Sequence, residues 1–140
     1  MSRVESTPHR YMETVKAHLI GLGFVEVEHE RGAMATETWK LARSRTHFLL
    51  KLDRGNLPWV GLGKRDGDPY VAPVWASVLG IAYEGDLEFQ RCLDFLVDHV
   101  DEIEKRIESD PRVEDSLKDA NWILVKKRLN LPPDMPPPAR

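Results

Sequence analysis

The sequence predicts an α+β domain: a four-stranded antiparallel meander packed on one face by an N-terminal helix and by C-terminal helices. Three observations lead there. Residues 24–63 repeat a period-2 alternation cut by short polar links, the pattern of consecutive antiparallel strands. Residues 11–22 and 86–128 instead place apolar side chains every three or four positions, as amphipathic helices do. A chain of 140 residues, 41% of them hydrophobic, is long enough to bury one core. We therefore expect a single domain over residues 1–130 and a disordered tail over 131–140, where Pro132, Pro133, Pro136, Pro137 and Pro138 rule out helix and sheet.

Taken in order, residues 1–9 are polar and frayed, and Tyr11 or Met12, Val15, Leu19 and Leu22 mark the first helix. Gly21 and Gly23 end it, because glycine accepts the left-handed conformation that closes a helix. Residues 24–30 then alternate, with Val25 and Val27 on one side and Glu26 and Glu28 on the other, as in a half-solvated strand. A loop at 31–35 leads to a second strand, 37–43, through Trp39 and Leu41. After a turn at Ser44 and Arg45, residues 47–53 point Phe48, Leu50 and Leu52 one way. Asp53, Arg54, Gly55 and Asn56 turn the chain, with positive φ expected at Gly55 and Asn56, into a fourth strand, 57–63, that carries Trp59. A short helix at 73–79 precedes one long amphipathic helix, 86–108, whose apolar row is Phe89, Leu93, Leu96, Val100, Ile103 and Ile107. Asp86 is its expected N-cap and Ser109, Asp110 and Pro111 its stop. Val113, Leu117, Ala120 and Leu124 outline a last helix ending near Asn130.

No catalytic or cofactor motif is present. The five histidines, His9, His18, His29, His47 and His99, include no i, i+4 pair, and one cysteine supplies no thiolate pair, so no metal site and no cofactor are expected. Gly61-Leu62-Gly63-Lys64 resembles the end of a phosphate loop, but Pro58 stands where the first glycine belongs and Arg65 where Ser or Thr must follow. Asp66-Gly67-Asp68 has calcium-like spacing, yet Ser77 stands where the closing carboxylate should be. Cys92 lies seven residues from His99, too far along a helix for a hydrogen bond, and reads as a filler. The expectation is a protein that is not an enzyme. The lone cysteine suits a reducing compartment, residues 1–10 have no apolar signal region, and no run approaches the roughly 18 apolar residues of a membrane span. A cytoplasmic protein without a membrane partner is expected.

Charge is distributed unevenly. The net charge is −3, but residues 84–110 hold ten Asp or Glu against three Lys or Arg, a local −7, while the segments on either side are each +2. Such a helix face is either plain solvation or a docking surface that steers a basic protein partner. Asp94, Asp98, Asp101 and Glu102 are the candidate contacts, together with Arg54 on the turn after the third strand and Trp59 on the fourth. The alternative is a nucleic-acid or regulatory module built on residues 40–65, where Lys40, Arg43, Arg45, Lys51, Arg54, Lys64 and Arg65 face Asp53 alone, with Trp39, His47 and Trp59 interleaved. Against it, solvated strand faces ordinarily carry Lys and Arg, and both tryptophans fall on positions suited to a core, so nucleic acid is the less favoured partner.

A resemblance points the same way. Thr38-Trp39, the run from Phe48 through Asp53-Arg54-Gly55, Trp59-Val60-Gly61-Leu62-Gly63, and the acidic stretches Leu87-Glu88-Phe89-Gln90 and His99-Val100-Asp101-Glu102-Ile103 together resemble small bacterial proteins. Some of these accompany polymorphic or contact-dependent toxins as immunity proteins. The resemblance spans roughly residues 10–128 and brings no shared catalytic residues. It implies a non-enzymatic immunity or antitoxin-like inhibitor that blocks a basic toxin partner.

Overall fold

The computed structural model describes residues 7–138. Four strands, β1 (Val25–Arg31), β2 (Glu37–Arg43), β3 (Thr46–Asp53) and β4 (Leu57–Lys64), form one antiparallel sheet in the order β1-β2-β3-β4. Helix α1 (Thr7–Gly21) precedes them, and α2 (Ala72–Leu79), α3 (Phe89–Asp98), α4 (Val100–Ser109) and α5 (Val113–Arg128) follow. The expected α+β meander with flanking helices is what forms.

Directly opposed residues of antiparallel strands share a face, so the register sorts the side chains. Trp39, Leu50 and Val60 lie in one row and Leu41, Phe48 and Leu62 in the next. These rows are buried with Met12, Val15 and Leu19 of α1, Leu93 and Leu96 of α3 and Ile103 of α4. Helix α1 crosses β2, β3 and β4, whereas α3 packs against β4. The Phe48 row thus shares its core with Phe89, Leu93, Leu96 and Val100, and Phe24, just before β1, meets the Phe48 ring edge-on with centroids 5.0 Å apart. Thr38, Lys51 and Trp59 form a row on the opposite face.

Several local expectations need correction. The acidic helix is two helices, because His99 leaves the helical conformation at φ −110° and ψ 12°. The N-cap of α3 is Glu88, whose carboxylate accepts from the Gln90 and Arg91 N–H groups, while Asp86 lies outside at φ 50°. Strand β1 is exposed throughout; a bulge between Glu26 and Glu28 disturbs its alternation, and Val25 and Val27 are 63% and 46% exposed. Positive φ in the β3–β4 turn falls on Arg54 and Gly55, one residue earlier than expected. Helix α1 already includes Thr7–His9, and His9 is buried.

The segment after α5 adds no buried residue among those described, and it touches the domain: the Trp122 indole N–H donates to the Met135 carbonyl at 3.0 Å and Lys126 Nζ to the Pro133 carbonyl at 2.7 Å. Residues 139–140 lie outside the described residues.

Candidate interaction surfaces

The four acidic candidates flank the break at His99. Asp94 and Asp98 stand one turn apart on the outer side of α3, and Asp101 and Glu102 occupy the first turn of α4; all four are exposed. Placing carboxylates in that first turn also complements the positive end of the α4 dipole. Their surroundings differ. Asp94 accepts from Gln90 Nε2 at 2.8 Å, Glu102 pairs with His99 Nδ1 at 3.1 Å, and Asp101 accepts from Arg43 at 3.0 Å while its side chain stays 92% exposed. Glu104, by contrast, turns inward to Arg43 and to the buried Thr46 hydroxyl. Arg54 is exposed at the β3–β4 turn, and Trp59 is half-buried on the sheet face opposite the Phe48 row. The structure therefore brings the four carboxylates to one helix junction and does not give Trp59 the core position its alternation suggested. Its neighbour Pro58 takes the core-facing register, because Leu52 pairs with Pro58 and Lys51 with Trp59.

The basic stretch is divided by the same register. Arg43 sits in the core-facing register and is used internally, donating to the Leu22 carbonyl at 2.7 Å and to Glu104, with its guanidinium 4.8 Å from the centre of the Phe24 ring. Arg45 and Arg54 lie in turns. Lys40 and Lys51 alone share the open face with Trp59 and Leu49. A continuous cationic platform does not result.

Sequence spacing missed one cluster. Glu37 on β2 is buried, and its carboxylate accepts from His9 Nδ1 at 2.8 Å, from His29 Nε2, and from Arg31 Nε at 3.2 Å. His29 also stacks on Trp39, with ring centroids 5.1 Å apart and planes 15° from parallel. Burial by itself would raise the Glu37 carboxyl, but the hydrogen bonds from His29 and His9, the His9 charge and Arg31 outweigh it and hold the carboxyl below its ordinary range. A carboxylate held ionised by three donors is an anchor for the start of α1, unsuited to general acid work. Residues 28 and 8 positions away in the chain supply the histidines, which no local motif could show.

Cys92 is buried beneath Tyr83, whose hydroxyl lies 3.3 Å from Sγ. Burial pushes the thiol up, and burial and the cysteine push the Tyr83 phenol up, so the thiol is a packed neutral group as expected. Among the described residues, no group of three or more His, Cys, Asp and Glu could hold a metal ion, and no helix is long and apolar enough to cross a membrane. No family model matches the chain, and no curated protein and no solved structure matches it.

Proposed function

We propose that this chain is a non-enzymatic protein-binding domain, of the immunity or antitoxin-like inhibitor kind its sequence resembles, which blocks a basic toxin in the cytoplasm. The observation that carries this reading is the exposure of Asp94, Asp98, Asp101 and Glu102 around the α3–α4 junction, on helices whose apolar faces are already spent on the core. Exposed carboxylates at this density raise the encounter rate of a cationic surface, and they do so without a pocket.

The test uses the partner recovered by co-purification from the source cells. Asp94→Lys, Asp98→Lys and Glu102→Lys are combined, and Asp101 is left in place because it also holds Arg43. Association should slow by about tenfold or more, and raising salt from 0.1 M to 1 M should slow the wild type in the same direction as the Debye length contracts from about 10 Å to about 3 Å. A triple variant that associates as fast as wild type, with an unchanged circular dichroism spectrum, overturns the reading.

A further inference from the structure

A groove of about 730 Å³ runs between the open side of β4 and α5, and none of Asp94, Asp98, Asp101 and Glu102 lines it. Its walls include Trp59, Pro69, Tyr70, Trp122, Pro137 and Pro138. The ring of Trp59 lies over a glycine. Gly61 follows it two residues on, on the same face, and a Cβ there would stand 2.5 Å from the indole ring and 3.0 Å from Pro69. The glycine therefore leaves the room in which the ring lies along the strand. Trp122, on the facing helix, is fixed by its N–H donation to the Met135 carbonyl, with Lys126 Nζ 6.0 Å from its ring centre.

The chain's own tail shows what chemistry this groove accepts. Residues 132–135 turn over α5, closed by the Met135 N–H to the Pro132 carbonyl at 3.0 Å. They bring Pro137 and Pro138 to the rim, where both stay exposed and the groove beside them stays open. Consecutive prolines fix φ near −65° and favour the polyproline II conformation, whose carbonyls have no internal partners and whose rings stack on aromatic side chains at small entropic cost. An indole N–H donating to the carbonyl of such a segment is already present at Trp122. We propose that the groove is a binding site for an extended proline-rich segment of a partner protein, and that residues 132–138 are a built-in competitor resting on its rim.

The experiment uses the full chain and, as probe, a capped synthetic peptide with the sequence of residues 131–138, with a proline-free scrambled peptide as control. Binding is followed by titration calorimetry and by the indole N–H resonances of Trp59 and Trp122. The wild type should bind the probe saturably and shift both resonances. Pro137→Ser with Pro138→Ser should tighten binding several-fold, because an incoming segment must displace the tail from the rim that these two prolines form, and only chains with the tail displaced are competent to bind. Trp59→Leu should weaken binding by about tenfold, as loss of a central aromatic anchor does. Gly61→Ala, which displaces the same ring without removing it, is the second variant and should weaken binding in the same direction. Shifts absent from both indoles, equal binding of the scrambled peptide, or undiminished binding by both Trp59→Leu and Gly61→Ala overturn the proposal. Concentration-dependent dimers of the wild type that disappear with Pro137→Ser and Pro138→Ser would assign the groove to the tail of a second copy and overturn the partner.

Discussion

Glu37 shows how much can hang on one side chain. It is a buried carboxylate at the sheet end where α1 begins, and its donors come from α1, β1 and the β1 terminus. Because its folded-state carboxyl is depressed, the stability it contributes is complete above the ordinary carboxylate value, about 4.3, and is lost as pH falls through the lower folded value. His47 adds an earlier loss. It is buried, donates Nδ1–H to the Lys64 carbonyl at 2.9 Å, and is pushed below the ordinary histidine range by burial and then by Lys40. Its neutral form is favoured in the fold, so stability declines as pH drops below about 6.5, where the unfolded chain takes up the proton first. Urea midpoints measured from pH 7 to pH 3 should fall in both windows. Glu37→Gln should flatten the acid limb and cost about 1 to 3 kcal/mol at pH 7, since three donors lose an ionised acceptor. Leu96 is a simpler case: fully buried, it should cost about 2 to 5 kcal/mol as Leu96→Ala.

At the level of elements, Arg43 is the tie between layers. From β2 it reaches the Leu22 carbonyl at the end of α1, the Phe24 ring, and Glu104 and Asp101 of α4. Its guanidinium lies above its ordinary range chiefly through the hydrogen bond to Glu104, which outweighs burial. The break at His99 divides the acidic segment just where α4 must bring Glu104 to this arginine. Arg43→Ala should cost about 1.5 to 3 kcal/mol, the range for losing hydrogen bonds to a charged partner in a half-buried site, by leaving Glu104 and Thr46 facing each other without a cation. Arg43→Met with Glu104→Leu should recover part of that loss, because the pair is then removed together and neither charge is stranded. Chemical denaturation of the three proteins checks both statements.

The whole molecule has one edge covered and one bare. Beside β4, Leu62 exchanges backbone hydrogen bonds with Tyr70 at 2.9 and 3.0 Å, and the Trp75 indole N–H donates to the Leu62 carbonyl at 2.6 Å. Strand β1 has no comparable cover among the described residues; its exposed Val25 and Val27 alternate with Glu26 and Glu28, Glu30 follows, and a bulge interrupts it between Glu26 and Glu28. Like charges and a bulge are the ordinary defence of an open edge against pairing with another chain. Replacing Glu26, Glu28 and Glu30 with Thr should raise the proportion of higher oligomers at a given concentration relative to wild type, measured by light scattering after gel filtration, while the melting temperature changes little. Oligomer content equal to wild type would mean that the bulge alone protects the strand.

Local periodicity encodes four strands, their order, the turns at Ser44–Arg45 and after Asp53, and the apolar rows that became the core. Periodicity is blind to a single residue that leaves the helix without disturbing the spacing, and so the break at His99 did not register. Alternation is equally blind to which face each row takes. Trp59 and Trp39 both sit in alternating strands, but pairing of Lys51 with Trp59 and of Trp39 with Leu50 sends one to the open face and the other to the core. The exposed carboxylates were legible because charge density is a local property of the chain. Glu37 with His9 and His29, Arg43 with Glu104, and the groove between Trp59 and Trp122 were decided only in three dimensions, since each joins residues whose separation in the chain exceeds any local repeat and whose meeting depends on how the helices close over the sheet.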